Sequence, residues 1–424
     1  MNVGLLLILL LLLLAFLGIP ICFSLGIATI VAMIYGGMPL LVIPQKMFTG
    51  VDSVPLLAIP FFLLAGNLMA RGITQKILNF SNAIIGSIRG GLGMVTVCAS
   101  AVFAAISGSG VATVSAIGGM TIPAMKKEQY HPDFAAAVAS VASILGPIIP
   151  PSIFLIVYGS STDTSIAQLF LGAVIPGILV AAVLLLYVYF YASKHKFPVH
   201  EKVSAKVKAK VTLDSIWALF MPVLILGGIF FGIFTATEAA AVSVAYALFV
   251  GLFIHKDITL KDLPKILVDS AITTATILML LALSKVSSWV VVTSKLPMDI
   301  LGVFASLTDS TVVILLFLNF LLLIVGMLME GNAAIVMLTP LIIPLLKSYG
   351  ISTVHFGIVM ALNLCIGLVT PPVGACILLG NEIAGEKLEK TIASALPMIF
   401  IAILVLMIVT YVPATTTWLP NMMK

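Results

Sequence analysis

"GPIIPPSI" (146–153) and "GLVTPPVG" (367–374) interrupt stretches that otherwise read as long, buried, apolar helices. Each holds two adjacent prolines, and a proline inside a helix removes a backbone donor and clashes with the preceding turn. In hydrocarbon a freed carbonyl has no water to turn to, so a break is costly unless something in the protein fills it. Two such breaks in one chain ask to be explained together.

The surrounding composition says that the solvent is lipid. Of 424 residues, 61% are hydrophobic and 9% charged, and the mean hydropathy is +1.26. Soluble chains carry about 25% charged residues. Apolar runs recur along the whole length, which predicts an all-α polytopic membrane protein. The opening "MNVGLLLILLLLLLAFLGIP" lacks a basic n-region and a small-residue cleavage pattern, so it reads as a retained first helix. Cys22, Cys98, Cys365 and Cys376 all sit in apolar segments without a CxxC pair, and they read as small packing residues. The net charge of +5 comes mostly from loop lysines, a topology signal with no nucleic-acid partner implied.

Lysine placement sets the orientation. The loop 193–210 carries six lysines against Glu201, and 255–265 carries Lys256, Lys261 and Lys265, so both are cytoplasmic by the positive-inside rule. Helices at about 215–234 and 236–254 join them, and 134–158 with 166–192 form the preceding antiparallel pair. Arg71, Lys76, Arg89, Lys126 and Lys127 then fall on the cytoplasmic side. Residues 91–125 begin and end on that side, which predicts a re-entrant hairpin with "SGSG" (107–110) at its tip.

Shifting the chain by 221 residues superposes Pro123 on Pro344, Pro150 and Pro151 on Pro371 and Pro372, and Pro176 on Pro397. Gly110 falls on Gly331, Gly146 on Gly367, and Lys126 on Lys347. Proline is about 5% of ordinary sequence, so four coincidences in one register mark a duplication. Residues 1–192 form one repeat, with crossings at 3–17, 20–37 and 55–70, the hairpin 91–125 and the broken helix 134–158. A basic linker, 193–212, leads to the second repeat, 213–424, with a hairpin at 311–346 and a broken helix at 355–380. An odd number of crossings inverts the second repeat. Inverted repeats with paired helix interruptions are the signature of secondary transporters, which bind near the midplane between broken helices. Loose carbonyls there attract a cation, and helix N-termini attract an anion.

At these residues the chain resembles the large membrane subunit of the tripartite ATP-independent periplasmic (TRAP) transporters. The likeness lies in "SGSGVATVSAIGGMTIPAM" (107–125), "GPIIPPS", "FTATEAAAVSVAYA" (234–247) and "GLVTPPVG", and it runs over nearly all 424 residues. The resemblance implies an elevator-type, Na+-coupled importer of carboxylate solutes in the bacterial inner membrane. It also implies a small membrane subunit and a periplasmic substrate-binding protein as partners. Within the family the likeness is greatest to sialic-acid members, with C4-dicarboxylates and other sugar acids next. Carried over by position, a first sodium site would use Ser107, Ser109, Gly146, Ile149 and Pro151. Its pseudo-symmetric mate would use Gly331, Gly367, Thr370 and Pro372. Ser109 and Gly110 at the first tip, Thr162 and Asp163 beyond the first break, and Glu330 and Asn332 at the second tip are the candidate substrate contacts.

Two acids admit two readings each. A carboxylate at mid-membrane costs about 2.5–3.5 kcal/mol and is functional by default. Glu330, in the tip "MEGN" (329–332), reads either as a cation or conformational group or as a cap on the helix that follows. Glu238 is either the family-matched acid or an N-cap. "SSTDTS" (160–165), which holds Thr162 and Asp163, is a solvated loop or part of the solute path. Arginine occurs only at positions 71 and 89, so a guanidinium clamp for a carboxylate is not expected.

Enzyme readings fail on spacing. Neither Ser107 nor Ser109 sits in a G-x-S-G motif, and no histidine pair forms H-E-x-x-H. "GNEIAGEK" (380–387) has Glu386 where a phosphate loop needs lysine. A channel fits the duplication poorly, because paired breaks favour alternating access. The alternative that shares hairpins and breaks is a stand-alone sodium–carboxylate symporter of the divalent-anion class. One prediction follows from the lysines alone. Cysteines placed at 196 and 206 in a cysteine-free background should resist a membrane-impermeant thiol reagent in intact cells, and labelling of both from outside would refute the inverted arrangement.

Overall fold

The computed structural model describes residues 2–195, 197 and 204–422, so Lys196, Glu201 and Lys202 of the basic linker lie outside the described residues. Every regular element in these residues is a helix. Eight helices are long and apolar enough to cross a membrane, or nine if one bent pair counts as a span.

The chain opens with α1 (Val3–Phe16) and α2 (Ile21–Tyr35). At 14 and 15 residues they are about 21–22 Å long, short of the ~30 Å hydrocarbon thickness. They were expected to be full crossings at 3–17 and 20–37. Instead their turn stops level with the middle of α14 (Leu263–Thr293). Gly4 packs on Ser294 and Leu296 at the far end of α14, Thr29 bonds Ser287, Gly26 packs on Leu283, and Ile21 lines the same cavity as Ile277. Entry and exit stay on one side, so the parity of the topology is unchanged.

The crossing expected at 55–70 is also different. A short helix, α3 (Val42–Val51), bends by 64° into α4 (Ala58–Ile85), which runs 15 residues past the expected end. Its second half stays helical because Ile73 and Ile77 face the core while Lys76 reaches Asp257 at 3.5 Å.

Both hairpins form where expected. In the first, α5 (Gly91–Ser107) turns at Gly108 into α6 (Gly110–Thr113), which continues through a π turn (Val114–Gly118) into α7 (Gly119–Lys127). In the second, α16 (Thr311–Leu328) turns into α17 (Gly331–Ser348). Each break follows its hairpin. The broken helix expected at 134–158 is α8 (Pro132–Ala142), α9 (Leu145–Ile148) and α10 (Ile153–Thr162), and the one expected at 355–380 is α18 (Thr353–Gly367) and α19 (Ala375–Ala384). Long helices close both halves, α11 (Ile166–Lys194) and α20 (Leu388–Tyr411). Between them α12 (Ala205–Phe230) and α13 (Ala236–Phe249) pack on α4, and α15 (Leu296–Leu307) leads from α14 to the second hairpin.

The broken helices occupy the centre. Within Pro132–Thr162, 94% of the span's apolar window is buried, against 33% for α12, α14 or α16. This is where irregular backbone has to be, since lipid cannot satisfy it. Lipid also removes the hydrophobic drive for helix association, so contact depends on small residues and on polar links. Both occur here. Gly326 of α16 lies against Gly367 of α18 with a glycine Cα-to-Cβ position of only 3.3 Å. A buried polar chain then ties the same helices to α20, with Asn363 donating to Asn319 at 2.9 Å and Asn319 to Thr410 at 3.1 Å. His355 meets the Thr410 carbonyl at 3.1 Å. The two halves interlock through α10 on α17 and α8 on α19, and Tyr158 donates to the Thr353 carbonyl at 2.9 Å.

A methyl group on Gly367 would sit 2.4 Å from the Gly326 carbonyl carbon, a backbone atom that cannot rotate away. Overpacking of this kind costs about 1–3 kcal/mol. Gly367→Ala should therefore lower the apparent Tm of the detergent-solubilised protein by several degrees. Gly119→Ala, which meets nothing within 4 Å, should leave it unchanged.

Candidate functional site

Two adjoining cavities, of about 290 and 500 Å³, open where tips and breaks meet. They share Ile21, Ser109, Ile153, Glu330 and Asn332. The smaller lies between the two tips and the second break, reaching Gly367 and Gly374. The larger extends to the middle of α14, at Thr273, Thr276 and Leu280.

In the first half the tip is pressed onto its own break. Proline at 150 and 151 cannot donate, Ile149 and Ser152 are extended, and the Ser152 hydroxyl restarts the helix by accepting from Leu155 N at 3.3 Å. Gly108 turns the tip with φ of +62°, and a side chain there would meet the Pro151 carbonyl oxygen at 2.6 Å. A Cβ on Gly146 would lie 2.5 Å from the Ser109 carbonyl carbon. Ser107, Ser109, Gly146 and Pro151 are thus brought together, while the Ile149 side chain packs away, on Gly177 of α11. The Ser107 hydroxyl is buried there with no hydrogen-bond partner. The orphaned Ser107 hydroxyl and the backbone carbonyls of the same tip–break seam are hard oxygen donors, the kind that fits a cation such as Na+ and needs no carboxylate.

The second half repeats the backbone without repeating the closure. Ser109 and Glu330 stand 221 positions apart and do the same job. Ser109 Oγ caps Ala112 N at 3.3 Å, and Glu330 Oε2 caps Ala333 N at 3.0 Å. Glu330 Oε1 also accepts from Asn332 Nδ2 at 2.8 Å. The cap is therefore realised, and the same carboxylate lines both cavities. Gly331, however, packs on the Phe154 ring of the first break, and Gly367 packs on Gly326. The Thr370 hydroxyl is spent on the Ile366 carbonyl at 2.6 Å, and Pro372 is exposed. Of Gly331, Gly367, Thr370 and Pro372, only Gly367 lines a cavity, facing Glu330 and Asn332 across it. Leu328 stands at the place equivalent to Ser107, so the second tip lacks that hydroxyl.

Thr162 and Asp163 lie at the far end of α10, about 15 Å along the helix from Ile153, and line neither cavity. Thr162 donates to the Tyr158 carbonyl at 2.8 Å, and Asp163 ends the helix in the left-handed region with φ of +55°. Glu238 forms a capping box with Thr235, accepting from its N–H at 2.8 Å, away from both cavities. Sequence reasoning did not single out Ile21, Cys22, Phe154, Thr273 or Thr276. The run "AITTATI" (271–277), three threonines on an apolar helix, was the available signal for the last two.

Electrostatically the walls are uneven. Among the described residues lining the cavities no side chain is basic, and Glu330 is the one acid. The smaller cavity meets helix ends (α5 at Gly108, α16 at Leu328, α18 at Gly367) as well as helix starts, whereas the larger one meets starts alone, those of α2, α6, α10 and α17. The N-termini of α2, α6, α10, α17 and α19 all open onto the cavities, through Ile21, Gly110, Ile153, Glu330 and Ala375. Each start carries roughly half a positive charge.

Comparison with known proteins gives a consistent answer. A family profile described as "Tripartite ATP-independent periplasmic transporter, DctM component" matches residues 7–415. The chain is 40% identical to the C4-dicarboxylate TRAP transporter large permease protein DctM of Pseudomonas aeruginosa, covering 89% of this chain and 88% of that one. It is 36% identical to the sialic acid TRAP transporter large permease protein SiaM of Vibrio cholerae, covering 96% of each. The isethionate TRAP transporter permease protein DctMQ of Oleidesulfovibrio alaskensis is 40% identical over 94% of this chain, which spans 63% of that longer protein. In fold, the chain is similar to the YdaH transporter of Alcanivorax borkumensis, with a TM-score of 0.64 at 16% identity, covering 99% and 100% of the two chains. The chain belongs to the DctM component family of the tripartite ATP-independent periplasmic transporters.

Proposed function

We propose that the chain is the large, multi-pass permease subunit of a bacterial inner-membrane transporter that imports a carboxylate solute in symport with Na+. A small membrane subunit and a periplasmic binding protein complete it. Sialic acid is the favoured solute, ahead of C4-dicarboxylates and other sugar acids. Relatives named for isethionate, C4-dicarboxylate, sialic acid and 2,3-diketo-L-gulonate all handle small organic anions, and their identities to this chain do not rank one above another. Family membership favours the tripartite reading over a stand-alone symporter.

The observation that carries the reading is the convergence of four helix N-termini, those of α2, α6, α10 and α17, on the larger cavity, where no described lining side chain is basic. Such a wall attracts an anion through backbone N–H groups and partial charge. Without a fixed guanidinium the anion is held weakly, which suits a carrier that must also release it. Na+ is co-transported at the first tip, where Ser107, Ser109 and the carbonyls of the break offer oxygens, and its charge supports the neighbouring anion. Tips and breaks pack as one bundle against α2 and α14. In an elevator cycle that bundle moves and α14 is part of the standing wall.

Uptake into proteoliposomes should require an inward sodium gradient, the binding protein and the small subunit. Uptake that persists without sodium refutes the coupling. Ser107→Ala is the clean site variant, because its hydroxyl makes no structural hydrogen bond. It should raise the half-saturating sodium concentration by about tenfold, the scale of one lost ligand to a charged group. Ser109→Ala added to it should raise the value further and also cost the α6 cap, about 1 kcal/mol. Gly146→Ala should mimic the sodium defect without removing any oxygen, by holding the tip off the break. Unchanged sodium dependence in all three would mean that the ion binds elsewhere.

A further inference from the structure

We propose that Ser284 of α14 is a latch that holds the second hairpin against the wall, through a backbone carbonyl that Pro340 leaves without its helical donor. The proposal rests on the reading above in which the bundle of tips and breaks moves past α14. It adds the contact that has to break for that movement.

The sequence of α17, "GNAAIVMLTPLIIPLLKS" (331–348), carries a proline at mid-helix. Proline has no N–H, so the carbonyl four residues earlier loses its regular partner. For Pro340 that carbonyl belongs to Val336, which is buried, and no water replaces a missing donor inside a membrane. Ser284 supplies one from another helix, its hydroxyl donating to the Val336 carbonyl at 3.0 Å. Its neighbours on α14 behave differently. Ser270 and Ser287 donate back to their own helix, at the Ile266 and Leu283 carbonyls, at 2.8 and 3.0 Å. A hydroxyl has one proton, and Ser284 gives its proton to α17.

Among the described residues, three side-chain hydrogen bonds join Leu263–Thr293 to other helices. Asn67 of α4 donates to Ser270 at 2.8 Å, and Thr29 of α2 shares a hydrogen bond with Ser287 at 2.6 Å. Both partners lie outside the bundle, so these two bonds fix α14 within its surroundings. The third, from Ser284, is the one that reaches a hairpin. The repeat does not copy it. At the places 221 positions earlier, Gly119 stands for Pro340 and Leu63 for Ser284, so the first hairpin has neither the freed carbonyl nor the hydroxyl.

Parting the two helices is unequal in its effect on the partners. Ser284 can turn back to the Leu280 carbonyl, as its neighbours turn to theirs. The Val336 carbonyl has no helical donor to return to, because Pro340 still stands four residues on. The bond therefore biases the protein toward the conformation in which α17 is docked on α14.

The test uses the full chain in nanodiscs, with its native cysteines replaced. Val292→Cys at the end of α14 and Lys347→Cys at the end of α17, both exposed positions, carry spin labels, and the distribution of distances between them is the readout. Ser284→Ala should lower the ratio of docked to displaced conformations about fivefold, the scale of one hydrogen bond. Ser287→Ala, which removes the bond to Thr29, should leave the ratio unchanged. Pro340→Ala gives Val336 a helical donor and should lower the ratio as Ser284→Ala does. Adding Ser284→Ala to Pro340→Ala should then change nothing more, because both act on one contact. A Ser284→Ala chain that loses thermal stability while keeping the wild-type ratio overturns the proposal. So does an equal shift from Ser287→Ala, or additive shifts in the double variant. One and the same distance in the wild type and in every variant, with and without sodium, overturns the moving-bundle reading itself and takes the latch with it.

Discussion

The constraint on which this structure depends is that backbone polar groups inside a membrane have only protein to bond to. Two proline-bearing breaks free such groups, and the fold is organised around covering them. Gly146 admits the Ser109–Gly110 backbone, Gly108 admits the Pro151 carbonyl, and Gly367 admits Gly326. A side chain at any of these positions would push backbone from backbone. The same requirement drives α8–α10 and α18 to the centre, and it leaves the lipid-facing work to α12, α14, α16 and α20. Polar links such as Asn363–Asn319–Thr410 hold what hydrophobic burial cannot hold in lipid.

Duplication then supplies two copies of this solution, and the copies have diverged. Both tips end on an N-cap at equivalent positions, Ser109 and Glu330. The first tip closes on its own break and buries an unsatisfied hydroxyl at Ser107. The second has leucine at that place, leans on Phe154 of the opposite half, and leaves a cavity between itself and Gly367. On the proposed mechanism this divides the labour, with oxygens for an ion concentrated in one half and space for a solute bordered by the other.

Much of this was legible in the chain. The breaks, both hairpins, α11 and α13 follow from proline spacing, the 221-residue register and lysine placement, because these report hard constraints on backbone and topology, whereas α12 begins at Ala205, within the 193–212 stretch read as a linker. Helix length was less legible. Apolarity at residues 3–17 and 20–37 signals lipid without saying that the helices stop at mid-depth, and the amphipathic second half of α4 hides a helix behind its charges. Within the site, residues fixed by backbone need, such as Gly108 and Gly146, were readable. Those fixed by register were not. Thr162 and Asp163 are polar and follow the break, yet one helix of ten residues carries them away, while Thr273 and Thr276, 110 residues further on, face the cavity because α14 runs past it.

The two acids show what separates a cap from a site. Glu238 and Glu330 each accept hydrogen bonds at the start of a helix, so capping alone distinguishes nothing. Glu238 caps in a setting exposed at the end of α13, where the cost of the charge is small. Glu330 caps α17 on the wall that two cavities share, with one oxygen on Ala333 N and the other on Asn332 Nδ2. Serine does the same capping at the equivalent position in the other half with a single neutral oxygen. The carboxylate therefore offers more than the cap requires, since it places a second acceptor oxygen, on Asn332, at the wall that both cavities share.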